Sequence, residues 1–272
     1  MLGRRDLILG TPLALLAGPS AAARPKIPVK TVVLTLDDAV KSHRSFVGPL
    51  LREMGFRATF FVTQRWMEDR ENFMTWGEIG ELHRMGFEIG NHSWTHAGFR
   101  NAETAARLAG ELKQVEEELR KVGVPRPESF GWCGNAFGPE AVAVLRQEGY
   151  RFARRGMQPE VPYGRIDESG PAYQPAVHHP LLIPTTGDAY PEWTPRHFRD
   201  VISKALPGQA VVLQFHGVPD RAHPWVHTPP DRFREYMGIL RSGGFRVLAL
   251  RDLEPYVDMA NPPADPLLKA RW

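Results

Sequence analysis

Cysteine is almost absent from the chain, since Cys133 is the only one among 272 residues. A single thiol excludes an internal disulfide, and a cysteine-based zinc site is excluded as well.

The chain also has little excess charge of either sign. Its 34 lysine and arginine residues against 31 aspartate and glutamate residues leave a formal net charge of +3. Residues 1–23 contribute +1 of this through Arg4, Arg5 and Asp6, so the rest of the chain carries +2. This balance argues against a nucleic-acid partner, because surfaces that bind nucleic acid carry a basic excess.

Long apolar runs are missing too, and the one apolar stretch near the N terminus, through Ala17, is too short to span a bilayer. It follows the Arg4-Arg5 pair and precedes small residues suited to cleavage. This arrangement resembles a twin-arginine export signal, whose known use is to move folded proteins. We therefore expect residues 1–23 to be an export signal, residues 24–272 to be the mature domain without a membrane segment, and the protein to be periplasmic or extracellular in a bacterium. The alternatives are an ordinary export signal or an uncleaved anchor.

What the chain does have is a composition of 42% hydrophobic and 24% charged residues, enough for one core and a single domain. Short runs rich in β-branched and aromatic residues predict seven strands: 31–36, 58–63, 87–90, near 129–130, near 151–153, 210–215 and 245–248. Periodic segments between them predict six helices: 45–54, 75–85, 101–121, 138–148, 194–206 and 230–242.

Apolar strands that alternate with amphipathic helices predict an α/β fold with a parallel sheet, either open or closed into a barrel. Polar residues that follow widely separated strands favour the barrel, because in a barrel all strand ends meet at one mouth. Residues 156–193 form a long irregular insertion, and we expect it to cover a site.

Five of these polar residues form the candidate site. His92 and His96 are spaced i and i+4, so one turn of helix would bring both rings to the same side. Asp37 and Asp38 follow the first strand, and His216 follows the strand at 210–215. Two imidazoles and a carboxylate can hold a catalytic metal with positions left open, so Asp38, His92 and His96 are the predicted ligands. Asp37 would serve as the base beside the metal-bound water, and His216 as the acid.

Four motifs of the chain resemble those of the polysaccharide deacetylases, carbohydrate esterase family four, also described as the nodulation-type deacetylase homology domain. The motifs are Thr35-Leu36-Asp37-Asp38, Ala58-Thr59-Phe60-Phe61-Val62, His92-Ser93-Trp94-Thr95-His96 and Leu213-Gln214-Phe215-His216-Gly217-Val218. The resemblance covers roughly residues 31–250. It implies an irregular (β/α) barrel of parallel strands and a metal-dependent deacetylase that acts on an acetylated polysaccharide or oligosaccharide. The same resemblance assigns Asp37 as base, Asp38, His92 and His96 as ligands and His216 as acid, with Zn²⁺ as the expected ion and Co²⁺, Ni²⁺ or Mn²⁺ as alternatives.

The chain departs from the family at one motif. The family carries Arg-Pro-Pro-Tyr-Gly after its fourth strand, and its arginine orients the base, whereas this chain has Phe130-Gly131-Trp132-Cys133-Gly134-Asn135. As a hypothesis, Arg154 or Arg155 from the next strand replaces that arginine; the alternative is an ordinary solvated pair. We also predict Trp132, Trp193 and Arg155 as substrate-binding residues, and Asp188 could correspond to a family aspartate near the base.

Other interpretations remain open at this point. A hydrolase of a small cyclic imide or another non-sugar amide could use the same fold, and so could a catalytically silent glycan-binding domain. An iron oxygenase also uses two histidines and a carboxylate, but it would be expected on an all-β scaffold. The remaining histidine pairs, His178 with His179 and His223 with His227, are predicted to be loop residues.

Overall fold

A computed structural model describes residues 24–269, so the predicted export signal lies outside the described residues. A single parallel sheet dominates the fold. Its nine strands are β1 Thr31–Leu36, β2 Thr59–Val62, β3 Glu88–Asn91, β4 Ser129–Gly131, β5 Phe152–Arg155, β6 Ile183–Pro184, β7 Gly187–Asp188, β8 Val211–Phe215 and β9 Arg246–Leu248. The order across the sheet is β6-β5-β4-β3-β2-β1-β8-β7, with β9 paired to β1.

Six α-helices connect the strands. They are α1 Gly48–Glu53, α2 Trp76–Arg84, α3 Ala102–Lys121, α4 Pro139–Gln147, α5 Pro195–Ile202 and α6 Pro230–Ser242. Five shorter helical turns cover His43–Val47, Cys133–Asn135, Pro180–Leu182, Leu250–Tyr256 and Pro266–Lys269. In the part of the chain that the structure describes, no helix combines the length and apolar character needed to cross a bilayer.

All six predicted helices are present, and side-chain caps mark the starts of α2 and α5. Thr75 accepts a hydrogen bond from the Glu78 amide and Glu78 bonds back to the Thr75 amide, the reciprocal arrangement of a capping box. Thr194 caps α5, whose first residue is Pro195. The C-terminal end of α5 was predicted wrongly, because the helix ends at Ile202 rather than at 206. Pro207 excludes a helix that continues through Leu206, since a proline disfavours helical backbone in the residue before it.

The insertion at 156–193 is not wholly irregular, because its last part contains β6 and β7. These two strands are the opposite ends of the sheet order, yet only Thr185 and Thr186 separate them in the chain. The Thr185 amide donates to Arg155 O (3.1 Å) and the Thr186 amide donates to Val212 O (2.8 Å). One segment therefore passes from β5 to β8, and the predicted α/β barrel of parallel strands is confirmed.

Apolar side chains fill both faces of the sheet. Between the sheet and the helices, Val32, Leu34 and Leu36 of β1 join the largest core cluster. On the inner face, Val33 packs with Phe61, Phe152, Val212 and the Leu250 turn in a separate cluster. This inner cluster makes a solid floor, so the site lies above it at the C-terminal ends of the strands.

Glu88 joins several elements at the opposite, N-terminal end of the strands. Its buried carboxylate accepts hydrogen bonds from Thr59 Oγ1 (2.6 Å), Ser129 Oγ (2.5 Å) and the Arg251 amide (3.0 Å). These donors belong to β2, β4 and the Leu250–Tyr256 turn. Burial raises the pKa of Glu88, although the three hydrogen bonds act in the opposite direction.

We expect Glu88→Ala to lower the free energy of unfolding by about 2–4 kcal/mol, because three buried donors lose their acceptor. Urea unfolding followed by circular dichroism would measure this. Glu117→Ala is the matched control, since that side chain is 63% exposed, and it should change stability by less than about 0.5 kcal/mol. Equal effects of the two variants would contradict the role assigned to Glu88.

A second variant isolates the charge of Glu88. A carboxyl group with a raised pKa in the folded state contributes stability below its unfolded pKa, and this contribution is lost as the pH rises through the folded pKa. Glu88→Gln cannot titrate, so it should gain stability relative to the wild type as the pH rises from about 4.5 to 7. A stability difference that stays constant over this range would show that the pKa is not raised.

Candidate functional site

A cleft of about 250 Å³ opens at the C-terminal ends of the strands. Residues at the ends of β1, β3, β4, β5, β7 and β8, or in the loops that follow them and β2, line it. Five predicted site residues, Asp37, Asp38, His92, His96 and His216, all lie in this lining. The topology therefore brings together residues that are up to 179 positions apart (216 − 37) in the chain.

The Asp38 carboxylate lies close to three imidazole rings. Its Oδ1 lies 3.5 Å from His92 Nε2 and 3.4 Å from His96 Nε2, and its Oδ2 lies 3.9 Å from His216 Nε2. The predicted helical turn between the two histidines is wrong, because residues 92–96 form a loop. Ser93 and His96 have φ of 58° and 55°, and Asp38 has φ of 75°, so left-handed backbone turns the side chains toward each other.

The chemistry of these three residues fits a divalent metal ion. Asp38 Oδ1 is buried and has no hydrogen-bond partner among residues 24–269, and burial raises the pKa of this carboxyl group although His216 and His92 act in the opposite direction, so the carboxylate charge is only partly compensated. His92 Nδ1 lies 2.8 Å from Gly131 O and must donate to it, which leaves a lone pair on Nε2. Burial and the neighbouring His92 lower the pKa of His96 to about 3, so its imidazole is neutral as a ligand must be.

Cys133 lies unexpectedly close to this group. Its Sγ, together with one ring nitrogen each of His92 and His96, falls within a 4.8 Å cluster of donor atoms. Sequence considerations excluded cysteine-based sites, so a thiol beside the histidines was not foreseen. The thiol faces the wrong side of His92, however, since Sγ contacts Nδ1 (3.6 Å) and the His92 carbonyl oxygen (3.1 Å). Burial also raises the pKa of Cys133 well above its usual value, which disfavours the thiolate that a metal requires.

Asp37 is held by a buried arginine. Arg154 Nη2 donates to Asp37 Oδ1 (2.8 Å) and Oδ2 (2.6 Å), and Arg154 Nη1 donates to Gln214 Oε1. Burial would raise the pKa of Asp37, but the charges of Arg154, His92 and His216 and the Arg154 hydrogen bonds together outweigh it, so the pKa is lowered. Asp37 is therefore ionised at neutral pH, as a proton acceptor must be.

Arg155, the neighbouring residue, faces elsewhere. Its guanidinium pairs with Glu160 (2.6 Å) and donates to the carbonyl oxygens of Gly156 (3.1 Å) and Gln158 (2.7 Å). The side chain is fully buried and does not line the cleft, which differs from its predicted contact with substrate. Alternation along β5 is the reason, because successive side chains of a strand point to opposite faces.

His216 and Asp188 approach the same space from β8 and β7. His43 Nε2 donates to the His216 carbonyl oxygen (3.1 Å) and fixes the backbone at this point. Burial raises the pKa of Asp188 to about 6, and its Oδ1 has no hydrogen-bond partner among the described residues. Asp188 therefore adds a third carboxyl group to the cleft, beside Asp37 and Asp38.

The two tryptophans predicted to bind substrate lie in different parts of the structure. Trp132 lines the cleft, but only 1% of it is exposed and its Nε1 donates to Leu181 O (3.0 Å). Trp193 lies in the core against Phe198 and Tyr236, not at the cleft, so its position differs from the prediction. Its ring packs over the backbone of Gly187, where a Cβ would come within 2.6 Å of it.

Two residues that shape the site, Gln214 and Gly131, were not predicted from the sequence, although the position of Gln214 could have been inferred from strand periodicity. Gln214 precedes His216 by two positions on β8 and thus shares its face, which periodicity could have indicated. Gly131 gave no such signal. A Cβ at this glycine would lie 2.8 Å from His92 Nδ1, 3.0 Å from Phe61 and 3.2 Å from Arg154 Nη2, so the missing side chain leaves the space that Arg154 uses to reach Asp37.

Comparison with known proteins agrees with this geometry. A sequence model described as "Polysaccharide deacetylase" matches residues 24–153, which include Asp37, Asp38, His92 and His96. Over these 130 of its 272 residues the chain matches the polysaccharide deacetylase family. Arg154, Asp188 and His216 lie beyond the matched range, and the fold brings them to the same cleft.

The individual relatives have low sequence identity to this chain. A poly-beta-1,6-N-acetyl-D-glucosamine N-deacetylase from Escherichia coli K12 is 27% identical over 165 residues, which cover 46% of this chain and 25% of that relative. The chain therefore matches only about a quarter of that curated protein's length.

Two solved structures share the fold. A family 4 carbohydrate esterase from Bacillus anthracis has a TM-score of 0.52 and 20% identity, with 86% of each chain covered. A family 4 acetyl xylan esterase from Clostridium thermocellum, in complex with a cobalt ion, has a TM-score of 0.57 and 20% identity, with 85% of this chain and 94% of that chain covered.

Gly131→Ala tests the close packing beneath His92, a candidate metal ligand. We expect a tenfold to hundredfold weaker affinity for Zn²⁺, because the added methyl group displaces the His92 ring. Isothermal titration calorimetry with Zn²⁺ measures it. Gly110→Ala in α3, where a Cβ meets nothing within 4 Å, should bind Zn²⁺ as the wild type does. An unchanged affinity of Gly131→Ala would show that His92 is not positioned in this way.

Proposed function

We propose that the protein is a metal-dependent hydrolase that removes acetyl groups from an N-acetylated or O-acetylated glycan. The observation that carries this proposal is the convergence, in one cleft, of a candidate ligand set, an ionised carboxylate and a third imidazole. Asp38, His92 and His96 would hold the ion, with Zn²⁺ as the expected metal. When bound there, a divalent cation would lower the pKa of a water ligand and polarise the acyl carbonyl.

The chain's own residues supply the proton transfers. Asp37 accepts the proton of the attacking water, and Arg154 keeps this carboxylate ionised and oriented until it does so. His216 reaches the cleft from β8 and delivers a proton to the departing nitrogen or oxygen of the sugar. Asp37 directly follows β1 and His216 directly follows β8, and the pairing of these two strands keeps both groups next to Asp38 at the same end of the sheet.

Arg154 is proposed as the replacement for the arginine that the family carries after its fourth strand. The substitute reaches Asp37 from β5 across Gly131, which has no side chain to obstruct it. Arg155 has a different task in this proposal. It fixes the start of the insertion that contributes Met157, Val161 and Tyr163 to the cleft wall.

The proposed substrate and location follow from the relatives and the leader. The curated relative acts on an N-acetylglucosamine polymer, as its name states, and one structural neighbour is an acetyl xylan esterase. An exported protein with this site would act on a glycan of the bacterial cell envelope or surroundings. The export signal at residues 1–23 and the mature domain from residue 24 remain part of this proposal.

Acetate release tests the proposed reaction directly. Purified protein loaded with Zn²⁺ should release acetate from at least one of chitin oligosaccharides, peptidoglycan fragments and acetylxylan, and a chelator should abolish this activity until Zn²⁺ is restored. Asp37→Asn and His216→Gln should each lower kcat by about 10²- to 10⁴-fold. Asp200→Asn is the control, because that side chain is 70% exposed and far from the cleft lining. Turnover of small imides, with no acetate from any glycan, would contradict the proposal.

The two arginines of β5 should behave differently. Arg154→Lys keeps a positive charge near Asp37 but loses the planar guanidinium geometry, so we expect kcat to fall at least tenfold while Zn²⁺ affinity stays unchanged. Arg155→Lys should mainly raise KM, because it loosens the cleft wall and leaves the base in place. Steady-state kinetics and a Zn²⁺ titration of both variants measure this. Unchanged kcat in Arg154→Lys and Arg154→Ala would exclude Arg154 as the replacement arginine.

A further inference from the structure

One group in the cleft has no part in the proposed reaction. His223 lies in the loop between β8 and α6 and lines the cleft, and Asp220 holds it in place. The His223 amide donates to Asp220 Oδ1 (2.8 Å), and the ring Nδ1 donates to Asp220 Oδ2 (3.2 Å). The Asp220 side chain is fully buried, and both of its carboxylate oxygens accept hydrogen bonds from His223.

The orientation of His223 leaves one ring nitrogen available. Because Nδ1 is occupied by Asp220, Nε2 is the atom that can bond a ligand in the cleft. With Nδ1 donating to Asp220, Nε2 accepts a hydrogen bond when the ring is neutral and donates one when it is protonated; the hydrogen bond to Asp220 raises the pKa of His223, against the effect of burial. A fixed polar atom of this kind is suited to a hydroxyl group, which can both donate and accept.

Aromatic side chains pack around the His223 imidazole, and one of them also contacts the candidate metal ligand His96. Trp66 lies 4.7 Å from His96 and 4.7 Å from His223, measured between ring centroids, and Trp225 lies 5.4 Å from His223. The row thus runs from a candidate metal ligand outward to the rim. Trp225 at its outer end is 60% exposed, although a large aromatic side chain gains more from burial.

We infer that Trp225 and His223 form a subsite for a second sugar residue, next to the one that carries the acetyl group. The apolar face of a pyranose ring would cover the exposed indole of Trp225, and a hydroxyl group of the same sugar would form a hydrogen bond with His223 Nε2. Both features belong to saccharides, which present C–H faces and hydroxyl groups on one ring. The inference rests on the proposed function, and it adds that the preferred substrate has at least two sugar units.

Chain-length dependence of the kinetics tests the subsite. With N-acetylglucosamine, its β-linked dimer and tetramer, and an aryl acetate as probes, Trp225→Ala and His223→Gln should lower kcat/KM for the dimer and tetramer about tenfold. The values for the monosaccharide and the aryl acetate should stay within about twofold of the wild type. Trp225→Tyr should restore most of the loss, because it keeps an aromatic face. Leu206→Ala, which removes an exposed apolar side chain outside the cleft lining, is the control.

A binding measurement separates failure of the subsite from failure of the proposed function. In an Asp37→Asn background, titration with the tetramer should change the tryptophan fluorescence, and Trp225→Ala should weaken this binding about tenfold. Equal losses for all substrates would show that Trp225 has only a structural role, and no loss for any would show that the subsite does not exist. If the wild type releases no acetate, the proposed function fails; the subsite then stands or falls with the fluorescence titration.

Discussion

The buried ion pair between Arg154 and Asp37 is the interaction on which the site depends. It joins β5 to β1 across the mouth of the barrel, and both side chains are at most 3% exposed. Burial of an isolated carboxylate would favour its neutral form, whereas the bidentate contact with the guanidinium favours the charged one. Loss of the arginine from such a pair would leave an uncompensated buried charge, which costs about 3–5 kcal/mol. Stability and the ionisation of Asp37 are therefore coupled here.

The ion pair depends on the absence of a side chain at Gly131, at the end of the neighbouring strand β4. Gly131 at the end of β4 supplies a carbonyl oxygen to His92 and no side chain to the space above Phe61. The guanidinium of Arg154 lies over the Phe61 ring at 5.3 Å and bonds Gln214 beyond it. Arg154, Gly131 and Gln214 therefore depend on one another, because the guanidinium uses the space beside Gly131 and bonds the Gln214 side chain.

The site consists of a rigid floor at the strand ends and of walls that are formed by loops. Left-handed backbone at Asp38 and His96 is strained for residues with a side chain, and the packed strands and the loop hydrogen bonds around it hold it in place. The walls come from the β5–β6 insertion and the β8–α6 loop, which are anchored by Arg155 with Glu160 and by Asp220 with His223. Each anchor is a buried charge that positions cleft residues without reaching the reacting atoms, so the walls can vary while the floor is kept.

The sequence by itself determined seven of the nine described strands, the six helices and the candidate site residues. Period and apolar runs are local properties, and these placed β1 and α6 correctly. The motif residues Asp37, Asp38, His92, His96 and His216 could be assigned because strand ends converge in any parallel barrel.

Only the tertiary structure decided how those side chains meet. The loop that carries His96, the choice of Arg154 over Arg155, and the removal of Trp193 from the cleft depend on contacts between residues far apart in the chain. The closing strands β6 and β7 have two residues each and carry no periodic signal, so their place came from the partners on either side. Packing between distant segments set these features, and no local pattern of residues contains that information.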